Sequence, residues 1–80
     1  MKARVIVRLK SGVLDPQGKA VETALHGLGF DGVSGVRQGK VIEFETGKSD
    51  EAEARAAAEA MCGKLLANPV METYTIEIVD

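Results

Sequence analysis

Residues 14–28, LDPQGKAVETALHGL, decide how the rest of this 80-residue chain is arranged. The stretch begins with an expected helix N-cap, Asp15, whose carboxylate can accept hydrogen bonds from the unpaired amides of the first turn. Pro16 follows at the first helical position, where its fixed φ suits a helix and its missing N–H costs nothing. One face is apolar and carries, at helical spacing, Val21, Ala24, Leu25 and Leu28. We expect a sheet to cover this face.

Length and charge exclude several classes of protein. Eighty residues make one domain, residues 1–80, whose core is small enough that an oligomer or a partner would supplement it. The net charge of −2 gives no electrostatic footprint for nucleic acid or anionic lipid, and three aromatic residues are too few for base stacking. We therefore expect neither a nucleic-acid partner nor a membrane partner.

Cysteine use and hydropathy favour a cytoplasmic protein. The single cysteine, Cys62, cannot form an internal disulfide and suits a reducing compartment. The N-terminal apolar run is short and broken by arginines, unlike a signal peptide. We find no apolar stretch near the roughly 20 residues that span a bilayer.

Two kinds of periodicity divide the remaining chain. Alternation of apolar and polar residues predicts strands over residues 3–9, 33–37, 41–46 and 72–79. The second and third of these follow each other closely, as in a hairpin. A second helix is predicted over residues 50–67, capped by Ser49 or Asp50 and ended by Asn68 and Pro69. Its expected inward stripe consists of Ala54, Ala57, Ala58, Met61, Cys62 and Leu65.

The resulting order, β-α-β-β-α-β, predicts an α+β fold of the ferredoxin-like type. Two right-handed crossovers place both helices on one face of a four-stranded antiparallel sheet with strand order 4-1-3-2. In that order the two arginines of the first strand have acidic neighbours on both sides. The expected cross-strand pairs join Arg4 and Arg8 to Glu43, Glu45 and Glu77.

The helix-free face of this sheet is a candidate surface for self-association. Three apolar residues, Ile6, Val41 and Val79, lie there among the charges. A second subunit would cover them, so we expect a homodimer or a higher homo-oligomer through this face.

The chemical motifs favour structural roles. Residues 27–32, GLGFDG, match G-x-G-x-x-G, but they follow a helix and precede a strand, so they are better explained as a helix-ending turn. His26 is expected at the surface of the first helix, and Cys62 in the core. The sequence assembles no acid–base pair or activated nucleophile. We therefore expect no catalytic, cofactor-binding or metal-binding residue in this chain.

Two long motifs are the most distinctive parts of the sequence, residues 10–21 (KSGVLDPQGKAV) and residues 64–70 (KLLANPV). They resemble the motifs of the PurS family, the small subunit of multi-subunit phosphoribosylformylglycinamidine synthase. Shorter matching segments are Leu28-Gly29-Phe30, Val36-Arg37, Gly39-Lys40 and Met61-Cys62. The resemblance spans essentially the whole chain. The sequence departs from the family pattern at Ser11, Gly63 and Met71.

The resemblance implies a place in purine nucleotide synthesis. In that family, formylglycinamide ribonucleotide, glutamine and ATP give formylglycinamidine ribonucleotide, glutamate, ADP and phosphate. A large subunit (PurL type) performs the ATP- and magnesium-dependent amidation, and a glutaminase subunit (PurQ type) releases ammonia. The small subunit is implied to be a non-catalytic adaptor that binds no cofactor, joins the other two and aids ammonia transfer.

Part of the family motif is more elaborate than a helix cap requires. We hypothesise that the following residues contact the partner subunits: Asp15, Gln17, Lys19, Asn68 and Pro69. The alternative is that they only set helix ends. At the level of function, a small-molecule-sensing regulatory domain and a stand-alone small enzyme remain as alternatives on the same fold.

Overall fold

The computed structural model describes residues 1–79 and contains three strands and two helices. In chain order these are β1 (Lys2–Leu9), α1 (Pro16–Gly27), β2 (Gly39–Glu45), α2 (Glu51–Met61) and β3 (Glu72–Val79). A π-helical turn, Cys62–Leu66, continues α2 and ends just before Asn68 and Pro69, as predicted. The three strands form one antiparallel sheet in the order β2-β1-β3. The α+β class is confirmed.

The strand register places one predicted ion-pair network on the helix-free face. Arg4 lies opposite Glu43 and Glu77, and its guanidinium bonds to the two carboxylates at 2.7 and 3.1 Å. The pairing predicted for Arg8 is wrong. That residue faces Gly39 and Thr73, because the register sets Lys2, not an arginine, opposite Glu45.

The core lies between α2 and the sheet. The small residues Ala54, Ala58 and Cys62 are fully buried along one side of the helix, which lets α2 pack closely on β1 and β3. Val5 and Val7 of β1 complete the centre of the core. Cys62 is fully buried, which confirms the core position that the sequence predicted, and this burial raises the pKa of its thiol.

The strand predicted over residues 33–37 is wrong, since none forms there within residues 1–79. Side-chain carboxylates take the backbone amides that a sheet would use: Val36 N donates to Glu22 and Gln38 N to Asp15. Gly35 also has a φ of +67°, which breaks an extended path. The described sheet therefore has three strands, and β2 forms one of its edges.

Helix α1 does not lie on the sheet of its own chain. Only α2 packs on the strands to any extent among the described residues, and the chain is elongated, with extents of 48 × 27 × 14 Å. The apolar stripe of α1 is accordingly open, with Val21 43% and Leu28 73% exposed. Met61 and Leu65 of the predicted inward stripe of α2 are exposed as well, since they face the place where α1 was expected.

Candidate functional site

Asp15 organises the junction between the sheet and α1. Its Oδ1 accepts from Gly18 N at 2.8 Å, which confirms the predicted N-cap, and its Oδ2 accepts from Gln38 N at 2.7 Å. The side chain is only 6% exposed. The amide of Gln38, and then that of Gly18, hold the pKa of the Asp15 carboxyl below its ordinary value. Asp15 therefore caps α1 and fixes the entry into β2 at the same time.

The polar face of α1 lies on the segment that follows the helix. Glu22 Oε1 accepts from Val36 N at 3.2 Å, and His26 Nε2 lies 2.7 Å from the carbonyl oxygen of Val33. The Val36 amide, helped by Lys19, lowers the pKa of the Glu22 carboxyl. These contacts join α1 and the segment after it into one unit, which we call the α1 arm (residues 16–38).

Gly18 is the position where the two parts of the α1 arm approach most closely. A Cβ there would clash with the carbonyl oxygen of Val36 and with the carboxylate of Asp15. Gly18 is buried although it lies in the first turn of a helix. The missing side chain of Gly18 thus lets the first turn of α1 pack directly against the backbone at Val36.

The second long motif lies at the same end of the sheet. Asn68 closes the turn before β3. Its side-chain Oδ1 accepts a hydrogen bond from Val70 N, and its backbone N–H donates to the Glu72 carboxylate. Lys10, just after β1, donates through its Nζ to the carbonyl of Pro69 at 2.9 Å. The two motifs that are far apart in sequence are therefore neighbours in the fold.

The five residues predicted as a partner interface are placed differently. Asp15 is buried, whereas Gln17 is exposed and lies with it at a cleft of about 300 Å³. The cleft is lined by Val7, Leu9, Asp15, Gln17, Gln38, Gly39, Lys40 and Glu72. Glu72 links this cleft to Asn68. Lys19 points elsewhere and pairs with Glu22 at 3.4 Å. No observation here tests their contact with partners, so that role stays a prediction.

The three residues predicted for self-association lie on the helix-free face, as expected. Ile6 and Val41 are directly opposite each other in the register. Val79 lies opposite Lys2 and is separated from that pair by the row that contains Arg4. The surface is thus a mixture of a small apolar pair and an ion-pair network.

A larger apolar surface lies on the other side of the sheet. It is a groove of about 700 Å³ between α2 and the inner side of β2, which we call the α2 groove. The residues that line it are Ile42, Phe44, Ala57, Ala60, Met61, Lys64, Leu65 and Leu66. Lys64 is the one charged residue in this lining.

The structure gives the surroundings of the two side chains, His26 and Cys62, that the sequence offered for chemistry. Within residues 1–79 no group of three His, Cys, Asp or Glu side chains is placed to hold a metal ion. None of the helices in that range is long and apolar enough to cross a membrane. His26 is tied to a backbone carbonyl and Cys62 is buried.

Comparisons with known proteins agree over the whole chain. The family model PurS, described as phosphoribosylformylglycinamidine (FGAM) synthase, matches residues 2–80. The chain is 51% identical over 75 residues to the PurS subunit of FGAM synthase from Synechocystis, covering 94% of this chain and 75% of that protein. It is 47% identical over 79 residues to the Bacillus subtilis PurS subunit, covering 99% and 93%.

Solved structures show the same similarity. Bacillus subtilis PurS in its C2 crystal form superposes with a TM-score of 0.86 at 46% identity, covering 99% of this chain and 98% of that one. A chain in the structure of PurLQS from Thermotoga maritima gives a TM-score of 0.86 at 32% identity, covering 95% and 93%. This chain belongs to the PurS family.

Sequence reasoning missed the roles of Glu22 and His26. The sequence placed His26 at the surface of α1 and assigned no contact to Glu22, whereas both side chains bond to the backbone of the next segment. A signal was present in the spacing, because Glu22 and His26 follow the N-cap Asp15 by seven and eleven residues, which puts the three on one face of a helix.

Proposed function

We propose that this chain is the small subunit of FGAM synthase in purine nucleotide biosynthesis, and that it acts as a non-catalytic adaptor. The observation that carries the proposal is the match to the PurS family over residues 2–80. The similarity to a chain in the Thermotoga maritima PurLQS structure adds support, since that name places the small subunit in one structure with PurL and PurQ. A cytoplasmic location accompanies this role.

In the proposed complex, formylglycinamide ribonucleotide, glutamine, ATP and water give formylglycinamidine ribonucleotide, glutamate, ADP and phosphate. A PurL-type subunit binds ATP and magnesium and performs the amidation, and a PurQ-type subunit releases ammonia from glutamine. This chain binds no cofactor; it holds the two together and aids the transfer of ammonia. The chain has two kinds of exposed surface, the motif end of the sheet and the apolar faces. An adaptor that binds more than one subunit requires more than one such surface.

The motif end of the sheet is our proposed contact with the partner subunits. Gln17, Asn68 and Pro69 are exposed there, around one cleft and its neighbouring turn. Asp15 is buried and acts by positioning, because both of its carboxylate oxygens already accept backbone amides. Lys19 lies outside the cleft, on α1, where its exposed charge pairs with Glu22.

Charge reversal tests this surface. Lys19→Glu should weaken binding to the large subunit in a titration, while the free chain keeps its circular dichroism spectrum. Because Lys19 also pairs with Glu22, Gln17→Ala serves as a second variant that leaves the pair intact. Lys48→Glu, an exposed charge at the opposite end of the sheet near Met1, is the control. Unchanged affinity in both interface variants would remove this surface from the proposal.

The helix-free face is our proposed contact for assembly of small subunits into a homo-oligomer. Ile6→Asp should lower the mass measured by light scattering, because it puts a charge beside Val41 in the apolar pair of that face. Leu14→Asp is the control, at an apolar residue that is 80% exposed and lies outside the sheet. An unchanged mass for Ile6→Asp would rule this face out.

The adaptor role itself is tested by reconstitution. The large subunit and the glutaminase subunit are assayed with and without this chain, first with glutamine and then with ammonium as nitrogen source. We expect glutamine-driven synthesis to require this chain and ammonium-driven synthesis to proceed without it. If neither activity changes and the proteins do not co-elute, the adaptor proposal is wrong and a ligand-sensing domain becomes the leading alternative.

A further inference from the structure

Two of the four arginines of this chain form no ion pair within the described part of the chain. Arg4 bonds to two glutamates of the sheet, and Arg55 pairs with a glutamate one turn earlier in α2. The other two, Arg8 and Arg37, are exposed and line one cleft of about 440 Å³ at the end of β1. Two guanidinium groups that share a cleft without a carboxylate leave their charge for an anion from outside the chain.

The strand register places Arg8 beside Thr73, which lines the same cleft. The two residues are directly opposite each other in β1 and β3, so their side chains leave the same face of the sheet. On the other side Arg8 lies opposite Gly39, and its Cγ is 3.4 Å from the place where a Cβ of that glycine would lie. Arg8 therefore packs across a residue without a side chain and meets no carboxylate in either neighbouring strand.

The turn after β1 holds Arg37 at the cleft. Arg37 Nη2 donates to the carbonyl oxygen of Lys10 at 3.0 Å, and the same oxygen accepts from Val13 N. This turn contains Ser11, which also lines the cleft. The turn is itself fixed, because Lys10 N donates to Met71 O at 2.8 Å. One N–H of Arg37 thus orients the guanidinium, and its other N–H donors remain for a ligand.

The charge at this cleft is positive, although the whole chain carries a net charge of −2. Lys10 adds a third positive charge beside it, with its Nζ bonded to the carbonyl of Pro69. Two carboxylates at this end of the sheet, Asp15 and Glu72, do not line the cleft. Both oxygens of Asp15 accept backbone amides, and Glu72 accepts the amide of Asn68. The cleft therefore presents a local positive potential to an approaching anion.

We propose that this cleft binds a phosphate group, either of a phosphate monoester or of the free ion, through Arg8, Arg37, Ser11 and Thr73. A carboxylate has two oxygens, which a single guanidinium can bind as a bidentate pair. A phosphate monoester has three free oxygens and up to two negative charges, which match two guanidinium groups and two hydroxyl groups. The volume of the cleft also admits the organic part of a small monoester. Binding requires no partner subunit, so the site is independent of the adaptor role.

Titration of the full chain with glycerol phosphate, followed by amide NMR signals, tests the site. We expect saturable shifts of the signals of Ser11, Arg37 and Thr73, the same set of shifts with inorganic phosphate, and none with glycerol. Tighter binding of glycerol phosphate than of inorganic phosphate would identify a monoester as the ligand, and the reverse order the free ion. The proposal is overturned if neither compound gives saturable shifts, or if the dicarboxylate succinate binds as tightly as glycerol phosphate.

Substitutions in the lining separate a built site from general attraction by charge. Arg8→Gln should raise the dissociation constant of glycerol phosphate at least about tenfold, because hydrogen bonds to a charged group are lost. Thr73→Val keeps the charge and the shape and should raise it about fivefold through the lost hydroxyl. Lys48→Gln removes the same charge at the opposite end of the sheet and should leave the constant unchanged. All three side chains are exposed, so circular dichroism should show an unchanged fold.

Two results with these variants would contradict the site. The first is an equal loss of binding in Arg8→Gln and Lys48→Gln, which would show that only the net charge of the chain matters. The second is an unchanged dissociation constant in both Arg8→Gln and Thr73→Val.

Discussion

The two helices of this chain have similar amphipathic sequences and opposite surroundings. α2 turns its small residues, Ala54 and Ala58, toward the sheet of its own chain. α1 turns its polar residues, Glu22 and His26, toward its own chain and leaves its apolar stripe outside. An apolar stripe thus indicates that one face of a helix has to be buried. The polar contacts determine which face packs against the helix's own chain.

The largest effect should come from a charge on the packed side of α2. Ala58→Asp places an unpaired carboxylate against β1 and β3 and should cost at least about 3 kcal/mol of unfolding free energy. Ala56→Asp on the exposed side of the same helix should change it by less than about 0.5 kcal/mol. Urea titration of both variants measures this; equal costs would show that α2 is not packed as described.

On α1 the sensitive position is a glycine on the polar side. Gly18→Ala should destabilise the chain by about 1–3 kcal/mol, because the new methyl group clashes with the Val36 carbonyl and the helix start must move. Gly27→Ala at the last residue of α1 meets nothing within 4 Å and is the matched control. Thermal unfolding followed by circular dichroism compares them. A neutral Gly18→Ala would mean that α1 does not rest on this segment.

Acid should release the α1 arm. The pKa values of Asp15 and Glu22 are lowered in the folded chain by backbone amides. A lowered pKa stabilises the fold above the unfolded-state pKa, and this contribution is lost as the pH falls through the folded-state value, below about pH 4. Pepsin should therefore cut within residues 16–38 before it cuts α2 as the solution is acidified.

Two substitutions serve as controls for the acid effect. Glu22→Gln keeps an oxygen acceptor for Val36 N and should reduce the pH dependence without opening the arm at neutral pH. Asp15→Asn cannot accept both amides and should open it already at neutral pH. Simultaneous cleavage of the arm and α2 in the unmodified chain would argue against a separately held arm.

The smallest effect is expected at the end of α2. Gly63 lies in the π turn with open space around its Cα and no positive φ. Gly63→Ala should therefore stabilise the chain by about 0.4–1 kcal/mol through the entropy of the unfolded state. The contrast with Gly18→Ala distinguishes a glycine that is needed for close approach from one that is not. The midpoints of urea unfolding of the variant and the unmodified chain give the sign of the change in unfolding free energy.

Much of the fold could be predicted from local signals. The caps at Asp15 and Asp50, the helix end before Asn68 and the alternation in β1 and β3 are decided by neighbours in sequence. The Arg4 network followed from strand order and opposite charge. Helical periodicity predicted the burial of Ala54, Ala58 and Cys62 correctly, whereas Met61 and Leu65 of the same predicted stripe are exposed.

Two features could not be predicted, because they depend on contacts between distant residues. The segment at residues 33–37 alternates like a strand, but Glu22 and Asp15 take its amides. The position of α1 is set by the same bonds. Hydrophobic periodicity identifies an apolar face but does not determine what packs against it. The candidate interface was only partly predictable for the same reason, since the burial of Asp15 depends on Gln38.

The most direct measurement of the account's central claim is a methyl NOE experiment on a ¹³C-labelled chain diluted into an excess of unlabelled copies, which detects contacts within one chain only. We predict no contact between the Leu28 methyl groups of α1 and the methyl groups of Met61 and Leu65, because α1 turns its polar side to its own chain. Strong contacts within one chain between Leu28 and Leu65 would show that α1 lies on its own sheet and would contradict the account.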